Sequence, residues 1–240
     1  MKKSILLFSF LSFLLFSCSS SDDNNNSNLN VTDIDGNVYN TIVIGTQTWT
    51  KENLNVSKYR NGDPILRVDG SWDGLTTGAW CYYENQTSNG VVYGKLYNWY
   101  AINDPRGIAP EGYHVPNMDE WILLRDLLIT NGSNYDGTVT GNKIGKSLAS
   151  ETLWDVTTNV GAVGNDLTLN NSSNFSGLPG GVRWSDPSVD FNNIRGGAYW
   201  WSSTASTNTA TSYSLNAHSK ELSQLGFNKK YGMSIRCVKD

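Results

Sequence analysis

The sequence predicts an α+β domain, with strands at both ends, two short helices between them and long irregular loops. Three observations carry this expectation. Residues 31–50, VTDIDGNVYNTIVIGTQTWT, are rich in Val, Ile, Tyr and Thr and are interrupted by Asp35-Gly36 and Gly45-Thr46, which is the composition of strands joined by tight turns. Trp121, Leu124 and Leu128 recur at helical spacing in the middle of the chain. Segments 197–203, 212–217 and 232–238 return to strand-like composition near the C-terminus.

Taken in order, Asp35-Gly36 is a strong hairpin signal and Gly45-Thr46 supplies a second turn. Residues 60–92 are punctuated by Asn61-Gly62, Asp69-Gly70, Asp73-Gly74 and Asn89-Gly90, with GAWCYYEN as a short strand between them. In YGKLYNWYAIND the period changes: Leu96, Trp99 and Tyr100 share one face of a short helix that Pro105 and Gly107 end. The second helix starts in GYHVPNMDEW. Asn117 is an N-cap residue and Glu120 stands three positions later, the spacing of a reciprocal capping box. Asp119 and Glu120 face the positive end of the helix dipole. Asn131-Gly132 stops the helix. Each charged group near Trp121 therefore has a structural role, and His114 reads as a packed, hydrogen-bonded residue and not as a catalytic base. GNKIGKSLAS is a weak further helical patch, and no repeat of 20 to 50 residues is visible.

The N-terminal residues read as targeting sequence. Lys2 and Lys3 precede the apolar and serine run Ile5–Phe16. That run is shorter than the about 20 residues needed to span a bilayer and matches a secretory leader. Leu15-Phe16-Ser17-Cys18 resembles a bacterial lipobox, with Phe16 bulkier than usual, so residues 1–18 are expected to be a lipoprotein signal ending in lipidated Cys18. SSSDDNNNSNLN, residues 19–30, is too polar to fold and is expected to be a disordered tether. Its Ser21-Asp22-Asp23 resembles the acidic export signal of Bacteroidetes-type surface lipoproteins. The expected location is the outer membrane, lipid-anchored and surface-exposed.

That leaves 31–240 as one domain. Removing Lys2 and Lys3 from the 18 basic residues leaves 16 against 22 acidic ones, a net charge of −6. With no Lys/Arg run there is no footprint for phosphate backbones, so nucleic acid is not an expected partner. Two thiols remain, Cys81 and Cys237. In an exported chain they suggest a disulfide, the alternative being two buried free thiols. Two cysteines and two histidines, widely separated, give no zinc spacing, and no metal or cofactor is expected. No nucleophile elbow or phosphate loop is present. Asp186 and Asp190 are the one carboxylate pair to weigh as acid and base, and they read as a loop surface.

Six segments occur together: DIDGNVYNTIVIGTQTWTKENL, YGKLYNWYAIND, GYHVPNMDEW, GLPGGVR, YWWSST and YGMSIRCVKD. In this order they resemble the Fibrobacter succinogenes major paralogous domain, over about residues 31–240. Tyr113 stands where that family usually has Trp. Some members carry a cysteine near Ala109, and its absence makes Cys81 the natural mate of Cys237. The family in turn is similar to the C-type-lectin-like fold of the formylglycine-generating enzymes, through GYHVPNMDEW, IRGGAYW and SIRCV. The resemblance implies two helices against a twisted, mostly antiparallel sheet whose N- and C-terminal strands lie close. It does not carry over the enzymes' chemistry, because no cysteine pair matches their active-site thiols. Trp184-Ser185-Asp186 only partly resembles the calcium-binding Trp-Asn-Asp strand of true lectins.

Aromatic residues are abundant, with 9 Trp and 12 Tyr. Trp49, Trp99, Trp121 and Trp200 are expected in the core, because aromatic side chains bury large areas. Trp200 and Trp201 are adjacent on a strand, so one of them is expected at a surface. Aromatic faces beside amides suit sugar stacking, which makes 183–228 the expected ligand face. Its candidate residues are Trp184, Asn192, Asn193, Tyr199, Trp201, Asn208 and Tyr213. The expected function is a non-catalytic surface lipoprotein binding a glycan or protein. A structural envelope component and a degenerate or metal-assisted enzyme are the alternatives.

Overall fold

The computed structural model describes residues 30–185 and 190–240. The leader, Cys18, all of the tether but Asn30, and Asp186 lie outside the described residues. The class is α+β, with mostly antiparallel sheets and few short helices.

The chain opens with β1 (Val31–Thr32) paired to β2 (Val38–Tyr39). Their connection is longer than the two-residue turn expected at Asp35-Gly36. Asp33 Oδ1 accepts from the backbone N–H groups of Asp35 and Asn37 and organises a wider loop. Next, β3 (Thr41–Ile44) and β4 (Gln47–Thr50) form the expected tight hairpin, with Ile44 opposite Gln47 and Gly45 at φ 64°. A side chain is strained at that φ, so glycine suits the position.

After β5 (Leu66–Arg67) and β6 (Ala79–Cys81) comes α1 (Thr87–Tyr93), a helix where Asn89-Gly90 had signalled a turn. A Cβ on Gly90 would lie 2.1 Å from the Tyr82 ring, so this glycine permits close packing and breaks no element. The Leu96 helix is also shorter than expected. Leu96–Tyr97 is a strand, β7, and only Trp99–Ile102 is helical, α2, with the Asn98 side chain accepting from the Ala101 N–H. β8 (Tyr113–His114) leads into α3 (Met118–Thr130). Here the capping box is present: Asn117 Oδ1 accepts from the Glu120 N–H at 3.0 Å, and Glu120 Oε2 accepts from the Asn117 N–H at 2.8 Å. Trp121, Leu124 and Leu128 form its buried stripe. The weak patch forms α4 (Gly145–Leu148).

The C-terminal part contains β9 (Gly180–Arg183), β10 (Phe191–Ile194), β11 (Gly197–Ala205), β12 (Thr209–Asn216), β13 (Ser223–Asn228) and β14 (Val238–Lys239). β11, β12 and β13 make an antiparallel sheet in that order, and β3-β4-β14-β8 makes another. Val238 pairs with both Trp49 and His114, so N- and C-terminal strands do meet. Segment 232–238 is not the continuous strand expected. Gly232, Met233 and Ser234 form single bridges to Arg183, Tyr97 and Trp200 instead.

The central core joins these sheets through packed aromatics, Trp49, Trp121, Phe175, Trp200 and Tyr213, most of them meeting tilted or edge-on. Trp121 lies 4.9 Å from Tyr213 at an interplanar angle of 15°. All four tryptophans expected in the core are buried. A buried arginine ties the core to the C-terminal segment. Arg236 donates to Asn53 Oδ1 (2.7 Å), to the carbonyls of Thr50 (2.8 Å) and Phe175 (2.9 Å), and to that of Ser176 (3.1 Å). Asn53 Oδ1 also accepts from Trp200 Nε1. No carboxylate pairs with Arg236 among the described residues. Its charge is offset by this ring of acceptors, and burial pulls its pKa down to about 9.

The expected Cys81–Cys237 disulfide is not formed: both thiols are free and buried. Cys81 packs with Trp72, Tyr83 and Leu96, while Cys237 packs with Tyr39, Leu54 and Tyr97 in a separate cluster. Burial pushes both thiols up to about 12, which leaves them inert as nucleophiles at neutral pH.

Candidate functional site

The sheet β11-β12-β13 positions the candidate site. On antiparallel strands, directly opposed residues share a face. Tyr199 and Trp201 pair with Ser214 and Ser212, and Ala210 and Ser212 pair with Phe227 and Leu225. These residues therefore form one face. Trp200, Tyr213 and Gln224 lie on the other, against α3.

On the first face, Trp201 is covered together with Trp99, Val182, Ala210 and Met233. Over this layer sit four half-buried aromatics: Trp184, Tyr199, Phe227 and Tyr231. Trp184 meets Tyr231 edge-on, with centroids 4.8 Å apart at 89°. Phe227 lies 5.9 Å from both Trp184 and Tyr231 and 6.2 Å from Tyr199. Asn193 Nδ2 donates to the Tyr199 hydroxyl at 2.7 Å. Burial raises the Tyr199 pKa, which keeps the phenol neutral. At the edge, the Lys229 ammonium sits 4.6 Å above the Trp99 ring. The patch thus combines partly exposed rings with amide, hydroxyl and ammonium groups on a packed base.

The structure brings only some of the expected ligand residues together. Trp184, Tyr199 and Asn193 share the patch. Asn192 is exposed on β10, and Asn208 is exposed in the β11–β12 turn. Trp201 and Tyr213 cannot contact a ligand. Both are fully buried, Trp201 Nε1 donating to the Tyr97 carbonyl and the Tyr213 hydroxyl to that of Met118. The surface tryptophan expected from the Trp200-Trp201 pair does not exist, because the sheet is covered on both faces. Phe227 and Tyr231 were not singled out in the sequence. Tyr231 opens a motif-bearing segment, while Phe227 sits alone in the polar run SQLGFN, whose composition gives little strand signal.

The larger recesses lie elsewhere. One of about 620 Å³ is bounded by Tyr39, Lys51, Glu52, Val92, Glu151 and Leu178, among others. A smaller recess of about 270 Å³ is lined in part by His218–Glu221. Trp184, Tyr199, Phe227 and Tyr231 line none of these recesses.

His114 lines none of these recesses. Its Nε2 is 2.8 Å from Glu120 Oε1 and its Nδ1 is 2.6 Å from Asp240 Oδ1. Burial pulls its pKa down, but the hydrogen bonds to Asp240 and Glu120 outweigh that and hold it above the usual histidine value. The contact ties β8 and the capping box to the C-terminal strand. Asp190 Oδ1 lies 2.9 Å from Nε of buried Arg183, so this carboxylate is committed to an ion pair. Its expected companion Asp186 is outside the described residues. Among the described residues no group of three or more His, Cys, Asp or Glu side chains is arranged to hold a metal.

Residues 42–239 match the family model of the Fibrobacter succinogenes major domain. The chain belongs to that family. No curated protein and no solved structure matches it. Within this family member, the motif residues of GLPGGVR and SIRCV contribute the buried Arg183 and Arg236, and YWWSST contributes the buried pair Trp200 and Trp201. These motifs build the scaffold, while the half-exposed aromatics lie beside them.

Proposed function

We propose that this family member is a lipid-anchored protein of the outer membrane surface, whose non-catalytic, C-type-lectin-like domain binds a glycan through the Trp184–Tyr199–Phe227–Tyr231 patch. The observation that carries the reading is the patch itself: four partly exposed rings over a buried layer, with Asn193 and the Tyr199 hydroxyl beside them. Sugar rings present C–H faces that pack on aromatic rings and hydroxyls that need polar partners at the rim. The patch supplies both without requiring a deep pocket. The proposed anchor rests on the leader, on Cys18 and on the polar residues that follow it. Acyl chains contribute ~0.8 kcal/mol per buried CH₂, and more than one chain gives a stable anchor.

The test is a glycan array probed with the protein, followed by titration of the tightest-binding glycan. Trp184→Ala and Tyr231→Ala are expected to weaken binding roughly tenfold each, since an aromatic contact is worth about 1 kcal/mol or more. Asn208→Ala, in the exposed turn, should bind like the parent. A clean array, or unchanged affinity in both aromatic variants, would remove the proposal.

A further inference from the structure

Lys95, just before β7, is a buried amine whose hydrogen-bond acceptors all belong to one residue. Only 5% of it is exposed. Its Nζ lies 4.6 Å from the centroid of the Trp80 ring and 5.5 Å from that of Tyr82. It donates to the backbone carbonyl of Asn55 and sits 3.2 Å from Asn55 Oδ1. No carboxylate pairs with it among the described residues. Burial is the largest influence on this amine and pulls its pKa down to about 8, although Asp35 and Asp33 favour the charged form. A fraction of it is therefore neutral at physiological pH, and a desolvated, neutral lysine is a nucleophile. The carboxamide it meets is fixed in place and open on one side. Lys95 N–H donates to the Leu54 carbonyl at 3.2 Å, and Asn55 N–H donates to the Tyr39 hydroxyl at 2.9 Å. The Asn55 backbone carbonyl also accepts from Asn37 Nδ2 at 3.2 Å. Asn55 Nδ2 has no hydrogen-bond partner among the described residues, and Asn55 lines the recess of about 620 Å³.

We propose that Lys95 and Asn55 join in an intramolecular isopeptide bond. Lys95 Nζ attacks the carboxamide carbon Cγ of Asn55. The Nζ–Cγ bond forms and the Cγ–Nδ2 bond breaks. One proton passes from Nζ to Nδ2, and the amide nitrogen leaves as ammonia into the recess. Atoms and electrons balance without an oxidant or a second reactant. The fold supplies what the uncatalysed reaction lacks: it holds amine and amide in contact and keeps the amine out of bulk water. The link closes the chain between positions 55 and 95 and constrains the unfolded state as a disulfide would. The two buried cysteines provide no such staple, since both are free. The bond ties the segment that follows β4 to the one that enters β7, which already run side by side through the Lys95–Leu54 contact and the bond from Asn53 Nδ2 to the Tyr93 carbonyl. The inference does not depend on the glycan reading.

The test is tryptic digestion of the full chain, purified from detergent-solubilised membranes, followed by tandem mass spectrometry. Without the bond, the two residues fall in separate peptides, 52–58 and 68–95. With it, trypsin no longer cuts after Lys95, and segment 52–58 is recovered joined to segment 68–106, lighter than the two together by one ammonia. Most of the parent chain is expected in the joined form, with fragmentation placing the link between Lys95 and Asn55. Asn55→Ala and Lys95→Arg should each give separate peptides only. Recovery of most of the parent as separate peptides would overturn the inference, and so would a link that persists in Asn55→Ala. The deciding readout is made on the parent chain, so it does not rely on either variant folding.

Discussion

Two aromatic clusters on opposite faces of one sheet differ in what lies above them. On the α3 face, Trp200 and Tyr213 are fully buried beneath Trp121, with Trp49 and Phe175 beyond. On the other face, Trp201 is equally buried, but the rings over it are left half-open. The residue types are the same and the strands are the same. The difference is the covering element: a 13-residue amphipathic helix on one side, loops and strand ends on the other. Aromatic density along a sequence therefore marks where large areas are buried, and a binding surface begins only where the covering layer stops.

That contrast can be broken or sharpened by substitution. The largest effect is expected from Trp121→Ala, at about 3–5 kcal/mol of unfolding free energy, because it empties the centre of the inner cluster. Denaturant unfolding reads it. Arg236→Ala should follow closely, at roughly 3 kcal/mol, since it strands Asn53 and three carbonyls that the guanidinium satisfies. Tyr213→Phe keeps the stack on Trp121 and removes the hydroxyl contacts to the Met118 carbonyl and Gln224 Oε1, so about 1 kcal/mol is expected.

A smaller effect concerns His114 and carries a sign. Its folded-state pKa is raised, so the stability it contributes is fully present below the unfolded value of about 6.5 and is lost as pH rises through the folded value. His114→Ala should therefore lower the melting temperature more at mildly acidic pH than at mildly alkaline pH. A loss that grows toward alkaline pH would contradict the two carboxylate contacts. The side chain is 39% exposed, so the effect is modest.

Local rules made part of the molecule legible. The capping box at Asn117 and Glu120, the stripe Trp121-Leu124-Leu128 and the turn at Gly45 all follow from interactions within a few residues. The features that depart from local expectation share a cause: they depend on what approaches from far along the chain. Trp201 was expected at a surface because period-two alternation describes a sheet with one face covered, whereas Met233 and Trp99 cover the second. Asn89-Gly90 signals a turn by composition, but the Tyr82 ring requires the missing Cβ inside a helix. A pair of leftover thiols suggests a bridge between Cys81 and Cys237, but the fold distributes them into separate clusters. In the candidate site, Trp184 and Tyr199 could be named from composition, while Phe227 and Tyr231 join them only through the register of β13 and the loop after it.

The most direct measurement pairs affinity with stability in Trp184→Ala. Glycan binding should fall roughly tenfold while the unfolding free energy drops by far less than in Trp121→Ala. Unchanged binding, or a stability loss equal to that of the core variant, would show that the outer rings serve packing alone and would contradict a ligand surface on this face.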